Sequence, residues 1–463
     1  MTELPVKVVG MRARERVVVN VDSPAARWVG TLAVLSVFCW LLVLLARDHA
    51  ADWHAAGRLA WSLSILAGVA LIARGIFLGR PVTAAHAAVA MIVLFTGLGV
   101  HVLSFDLLGD VLIAGAGLVL MWPTAAPPER AALPRVWALV GATRGDPLAP
   151  FAMQSLKSYY FNAQGTAAIA YRTRLGFAVV GGDPIGDETR FCELVADFAA
   201  MCRTRGWRII VLGGGERWLA LWCNSAVVGQ SLRPVPIGRD VVIDVQRFAM
   251  VGRKYRNLRQ AVQRTRNFGI TTEVIAEQAL DEALVAELAQ VLRASPNGAH
   301  TERGFSMTLD GALERRYPGI QLIIARDRDG RVQGFHRYAT AGGGRDVTLD
   351  VPWRRPGAPN GIDERLSVDM ITESKARGAE RLSLAFAAFP ELFNEENRGP
   401  SQRVLYRLIH LLDPLIALES LHRYLRKFHS LGERRYALLS MWHITAALVV
   451  LLSFEFMPRR RRL

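Results

Sequence analysis

Apolar and polar positions change their rhythm twice along this chain. From Trp28 to Ala46 runs a block of uncharged, mostly apolar residues closed by Arg27 and Arg47. As a helix it is long enough to cross a hydrocarbon layer of about 30 Å. A shorter block, Leu59 to Ala73, lies between Arg58 and Arg74, whose long side chains can carry their charge outward, and Gly75 to Gly79 extends it. Val82 to Leu103 is a third block, and Leu107 to Trp122, with Asp110 near its start, is a fourth reached through the tight link Ser104, Phe105 and Asp106. The pattern predicts a four-helix transmembrane region over 27–126 behind a basic segment, 1–26. Lys7, Arg12, Arg14, Arg16 and Arg27 precede the first block, and Arg74 and Arg80 separate the second from the third. Cationic flanks mark cytoplasmic sides, so after an even number of spans the rest of the chain is expected in the cytoplasm.

Beyond a Pro-containing linker, 127–150, the rhythm becomes one of short strands alternating with amphipathic helices, the signature of an α/β fold. Ala167 to Tyr171 and Gly176 to Val180 read as a hairpin. The loop Gly181 to Gly186, a helix from about Glu188 to Thr204 with Asp187 as its cap, and the strand Arg208 to Leu212 follow. The same order returns in strands Gln321 to Ala325, Val332 to Ala339 and Asp346 to Val351, the loop Arg354 to Gly361, a helix from about Asp363 to Ala376, and the strand Arg381 to Leu384. In both copies a Gly/Pro-rich loop leads onto a helix N-terminus, whose free N–H groups can receive phosphate or carboxylate. This is the layout of the GNAT acyltransferase fold. Tandem GNAT-like domains are predicted, the first over 151–270 and the second over 271–463 with a hydrophobic C-terminal tail.

Charge sharpens the picture. Lys+Arg outnumber Asp+Glu by 56 to 41, a formal +15, which favours an anionic partner. Six of the cations, Arg253, Lys254, Arg256, Arg259, Arg264 and Arg266, cover one helix-like segment whose Tyr255, Leu258, Ala261 and Val262 form an apolar stripe. A helix with no acid among its cations suits phosphate, from RNA or from lipid headgroups. The four cysteines form no CxxC pair, and neither HExxH nor the Walker pattern occurs, so no disulfide framework, metal site or nucleotide loop is indicated.

Several of these segments, taken in order, resemble the bacterial phosphatidylglycerol lysyltransferases of the MprF type. They are Gly182-Asp183-Pro184-Ile185-Gly186, Arg256 to Val262, Asp350 with Arg354, Arg355, Pro359, Asn360, Gly361 and Glu364, Leu382-Ser383-Leu384, and Tyr424 to Phe428 with Arg435 and Tyr436. The resemblance covers most of Phe161 to Tyr436 and implies transfer of a lysyl or similar group from aminoacyl-tRNA to the hydroxyl of phosphatidylglycerol, with no cofactor. The chain departs from it at Ala385 and over His429 to Arg434, and it lacks the additional spans that the longest relatives carry.

Moving an acyl group from a ribose ester to a lipid hydroxyl exchanges one ester for another. A site must therefore position the partners, take a proton, stabilise an oxyanion and hold phosphates. Asp350 at a strand end and Glu364 in the next helical turn are the candidate catalytic carboxylates, expected to face one cleft as base or as holder of the substrate ammonium. Arg354, Arg355, Asn360, Gly361 and Ser383 are the candidate substrate and phosphate contacts, and Arg253, Lys254, Arg256, Arg259, Arg264 and Lys427 the candidate contacts to tRNA or lipid phosphate. His336, alone on its strand, reads as a packed or solvated residue and is left out of the candidate site. Two alternatives stay open: a CoA-dependent acyltransferase, whose pyrophosphate pattern Arg354 to Pro359 meets only in part, and a non-catalytic receptor for anionic lipid or RNA.

Overall fold

The computed structural model describes residues 82–103, 106–295, 308–388 and 423–456, with 17–19 and the single positions 32, 35, 39, 65 and 68 before them. The basic segment 1–26 and the first two predicted spans lie almost wholly outside the described residues. The chain divides into two compact units, one of Met1–Ala125 with Thr173–Phe177 and Ala200–Arg208, the other of Ala126–Arg172, Ala178–Ala199 and Ile209–Leu463.

In the first unit, α1 (Ala84–Val102) and α2 (Asp106–Met121) are the predicted third and fourth apolar blocks, folded as a helical hairpin. They approach closely where Gly97 has no side chain: a Cβ there would lie 3.0 Å from Leu112 Cβ and 3.1 Å from Gly109 O. No helix among the described residues is long and apolar enough to cross a membrane. The 16 residues of α2 rise about 24 Å, short of a hydrocarbon layer of about 30 Å.

The second unit opens with α3 (Leu133–Ala142). A 12-stranded sheet dominates it. Its first half contains β1 (Ser158–Phe161), β2 (Ala167–Arg174), β3 (Phe177–Gly181), the short β4 (Ile185–Gly186), helix α4 (Phe191–Thr204), β5 (Arg208–Gly215) and β6 (Arg233–Asp244). Asp187 caps the turn before α4 by accepting from Thr189 N–H. Helix α5 (Arg256–Asn267) is the predicted basic helix. The second half runs β7 (Thr271–Ala276), α6 (Glu282–Ala294), β8 (Ile320–Arg326), β9 (Val332–Ala341), β10 (Asp346–Arg354), α7 (Ile362–Ala376) and β11 (Arg381–Ala388). The chain closes with β12 (Leu431–Leu439) and α8 (Ile444–Phe456).

The two predicted repeats are both present, but as halves of one sheet. The strand order is β1-β2-β3-β5-β12-β6-β11-β10-β9-β8-β7, with β4 on β2. Strand β12, the last in sequence, lies antiparallel between β5 and β6, and β6 in turn pairs with β11 of the second half. The halves are thus interlocked through backbone hydrogen bonds, and the hydrophobic tail, Ala437 to Phe454, supplies the last residues of β12 and most of helix α8. Helices α5 and α7 pack on one face, where Leu258, Val262, Ile362, Leu366, Tyr338 and Leu349 share a core. Helix α6 covers the other face with Leu288, Val291, Phe335 and Trp353. Strands covered on both sides read as continuous apolar runs, as in β3, all five of whose residues are buried.

Between Arg337 and Tyr338 the β9/β10 register slips, with Tyr338 opposite Leu349 and Arg337 opposite Val351. Asp350 is the extra residue of this bulge, which bends the strand and re-aims its side chains.

Gly361, at φ +102°, enters α7 where a Cβ would stand 2.8 Å from Ala261 O of α5. Gly361→Ala should therefore lower stability by about 1–3 kcal/mol through strain and helix displacement. Its exposed neighbour is the control: Asn360→Ala should stay within about 0.5 kcal/mol. Thermal and urea midpoints of the two variants check this.

Candidate active site

The start of α7 gathers ionisable groups because three inward positions, Asp363, Glu364 and Ser367, are polar in a helix otherwise packed by Ile362, Leu366, Met370 and Ile371. Glu364, buried, accepts from Lys427 Nζ. Asp363 is bonded to His336 at 3.2 Å and lies 3.5 Å from Arg354 Nη1. Burial alone would lift the Asp363 carboxyl. The His336 hydrogen bond and the charges of His336, Arg354 and Lys427 outweigh it and hold the group below the usual aspartate range. With Asp363 ionised, His336 Nε2–H donates to it, and His336 Nδ1 stands 3.4 Å from the Tyr338 hydroxyl. Tyr338 is 3.5 Å from Ser367 Oγ, which also bonds Tyr424. Burial first, then Tyr338, Asp363 and Glu364, pushes the Tyr424 phenol well up, so it stays protonated and able to donate. A chain of polar groups thus runs inward from a mouth where Arg354, Asp363 and Lys427 are partly exposed.

Of the residues singled out from the sequence, Glu364, Lys427 and Arg354 meet at this mouth, with Asn360 and Gly361 forming the turn beside it. The basic helix α5 packs against α7, and Arg256, Arg259 and Arg264 are exposed on it, with Arg253 and Lys254 exposed on the short turn that leads into it. Arg259 is partly committed, donating through Nη1 to Met250 O at 2.7 Å and Gly252 O at 2.8 Å.

Three candidates are placed elsewhere. Asp350 does not face the cleft with Glu364. The bulge turns it to the α6 face, where it accepts from Arg337 Nη1 at 2.8 Å and Leu309 N–H at 2.8 Å, while Arg337 Nη2 donates to Glu277 at 2.9 Å. All three side chains of this triad are fully buried. Burial pushes the Asp350 carboxyl up to about 6 against the pull of Arg337. Arg355 donates through Nε to Val332 O at 2.7 Å and pins the start of β9 rather than a ligand. Ser383 is buried in β11, beside Thr348 and Val242. Conversely, His336, Asp363, Tyr338, Ser367 and Tyr424 complete the cluster. Their trace in the sequence is polar residues at one-turn spacing in α7 and period two on β9, together with Tyr424 in the last matched segment.

A second buried cluster lies in the first half of the sheet. Arg435 on β12 donates to Asp240 at 2.7 Å, Asp146 at 2.7 Å, Asp183 at 3.1 Å and Gly213 O at 3.2 Å. Asp183, from the Gly182-to-Gly186 loop, also accepts from Gly215 N–H. Burial, with Asp146 adding to it and Arg435 opposing, pushes the Asp183 carboxyl up to about 7.

The pattern of known proteins closes the question of kinship. The model of the family described as phosphatidylglycerol lysyltransferase, C-terminal, matches residues 137–439. The chain belongs to that family. It is 67% identical over 454 residues to an MprF-like domain protein of Mycobacterium tuberculosis, covering 98% of this chain and 94% of the other. It is 32% identical over 284 residues to the lysylphosphatidylglycerol biosynthesis bifunctional protein LysX of Rhodococcus jostii, covering 60% of this chain but only 25% of that longer protein. Two solved structures share the fold: the C-terminal domain of a lysylphosphatidylglycerol synthetase from Agrobacterium fabrum (TM-score 0.59, 22% identity, 72% of this chain, 100% of that one) and L-PGS from Bacillus licheniformis (0.58, 19%, 71%, 98%). Family and fold make this α/β protein an aminoacyltransferase by descent.

The Asp183 pKa has a direct consequence. A carboxyl raised on folding stabilises the native state while protonated; that contribution is full below the ordinary value of 3.8 and is lost as pH climbs through about 7. The thermal midpoint should therefore fall between pH 5 and pH 8, and Asp183→Asn should flatten that fall. A pH series of melting curves on both proteins is the measurement.

Proposed function

We propose that this member of the family transfers an aminoacyl group from aminoacyl-tRNA to the hydroxyl of phosphatidylglycerol at the cytoplasmic face of a bacterial inner membrane. The observation that carries the reading is the paired mouth of the α7 cluster, in which Lys427 holds Glu364 and Arg354 holds Asp363. Two cations set beside two carboxylates provide both requirements of ester exchange: charges for phosphate and oxyanion, and a group to take a proton.

In this reading Lys427 and Arg354 turn towards the lipid phosphate as it arrives, releasing Glu364. The lipid hydroxyl oxygen attacks the aminoacyl carbonyl carbon, and its proton passes to Glu364. The tetrahedral oxyanion is held by the neighbouring cations and by the Tyr424 hydroxyl. As the carbonyl reforms, the bond to the ribose oxygen breaks and Glu364 returns the proton to that oxygen. One ester replaces another, so no nucleotide or metal enters the balance. The exposed cations of α5 lie beside α7 and suit the tRNA backbone.

Membranes bearing the chain, given aminoacyl-tRNA with a labelled amino acid, should form label soluble in chloroform, and RNase pretreatment should abolish it. Labelling that ignores RNase would favour a CoA-type donor and sink the reading. Glu364→Gln should lower kcat by about 10² or more. Asp350→Asn should act on the thermal midpoint, with activity following stability. Arg256→Ala should raise the KM for aminoacyl-tRNA and reduce the salt dependence of that KM by about one phosphate contact.

A further inference from the structure

The transfer reaction leaves one member of the α7 cluster without a task. His336 takes no proton and holds no phosphate in that scheme, yet it is fully buried and bonded to a carboxylate of the mouth. A polar ring at such a position destabilises the fold unless its nitrogens are paired. Three groups run outward from the sheet here, each freer than the last. His336 is fixed on β9, whose backbone is paired on both sides, with Ile323 of β8 and Pro352 of β10 opposite it. Alternation along the strand turns it to the α7 face with Tyr338, while Phe335 faces α6. Asp363, 24% exposed, lies in the first turn of α7. No side chain caps that helix at Gly361, so its free N–H groups offer the carboxylate a second place to turn. Arg354, at the end of β10, is 49% exposed on a long, flexible chain.

Asp363 divides its oxygens between the other two. Oδ1 is 3.2 Å from His336 Nε2, and Oδ2 is 3.5 Å from Arg354 Nη1. An ion pair with this much solvent about it is weak, in part because two side chains must be fixed at once. Holding the carboxylate from its buried side removes one of those two entropy losses. His336 can hold it because the ring itself is packed, with Nδ1 3.4 Å from the Tyr338 hydroxyl. Turning Asp363 away would leave a buried ring nitrogen unpaired, which costs more than the loss of an exposed contact.

We infer that His336 is a positioning residue: through Asp363 it fixes where the Arg354 guanidinium stands at the mouth, and with it the hold of the site on a phosphate group. The choice of phosphate rests on the transfer reading above; the placement of Arg354 does not.

The test reads Arg354 directly. Phenylglyoxal adds to guanidinium groups, and peptide mass spectrometry follows its rate at each arginine of the full chain. Arg355 is the internal control, because its Nε is held separately by Val332 O at 2.7 Å. His336→Leu should raise the rate at Arg354 about two- to fivefold and leave Arg355 unchanged. Asp363→Ala should do the same, and combining the two should add nothing, since both act on one contact. His336→Gln, whose amide N–H can still donate to Asp363, should return the rate towards that of the unaltered chain. Inorganic phosphate should protect Arg354, and the concentration for half protection should rise about two- to fivefold in His336→Leu. Should circular dichroism show His336→Leu unfolded, His336→Asn, whose shorter amide falls short of Asp363, takes its place under the same expectations. An Arg354 rate indifferent to these changes would overturn the inference. So would equal acceleration at Arg355, which would mark general loosening of the sheet, a further rise in the double variant, or failure of phosphate to protect Arg354 in the unaltered chain. None of these readouts requires tRNA, lipid or turnover. A positioned Arg354 without lipid labelling would count against the transfer reaction alone, and labelling with an Arg354 indifferent to His336 against this inference alone.

Discussion

Everything in the larger unit depends on where β12 goes, and Arg435 is the residue that holds it there. Its guanidinium reaches Asp240 on the neighbouring strand, Asp183 from the loop after β3, Asp146 from the segment after α3 and a carbonyl of β5. One side chain thereby ties together four pieces of chain that are far apart in sequence. A buried cation with three carboxylates is a demanding arrangement: each charge lost from water must be matched by hydrogen bonds, and removing the arginine would leave the acids facing one another. Burial, with Asp146 adding to it, already raises the Asp183 carboxyl against the pull of Arg435. The interlock of the two halves is therefore both backbone and electrostatic. The strand supplies the ladder, and the ion cluster fixes which strand can occupy it.

The two repeats have divided their tasks. Both lead a loop onto a helix N-terminus, yet in the first half the loop carboxylate Asp183 is turned inward to Arg435, whereas in the second half Asp363 and Glu364 meet Lys427, Arg354 and His336 at a partly open mouth. The same local chemistry becomes a closed clasp in one copy and a partly open cluster in the other. What separates them is access: the first cluster is closed over by β12, the second is left with Arg354 and Lys427 reaching solvent.

The Arg337, Glu277 and Asp350 triad shows how small a step decides a residue's role. Side chains on a strand alternate, and one extra residue at a bulge moves a carboxylate from one face to the other. Asp350 stands beside Leu349, which packs under α7, but Asp350 itself belongs to the α6 side. There it holds the backbone at Leu309 through its other oxygen.

Read from the sequence alone, the repeated order of strands and helices, the amphipathic basic helix, the Asp187 cap and the inward Glu364 were all legible. Each depends on residues within one or two turns of each other, where periodicity and capping act locally. The single sheet, the insertion of β12 between β5 and β6, and the partners of Asp350, Arg355 and His336 were not. Those follow from contacts such as Arg435 to Asp183, 252 residues apart, which no local pattern encodes. Local physical chemistry determined what each segment is and which chemistry it can carry. Only the tertiary structure decided which carboxylate is buried in a clasp and which is left at an open mouth, because burial and pairing belong to the packed assembly of strands and not to any one of them.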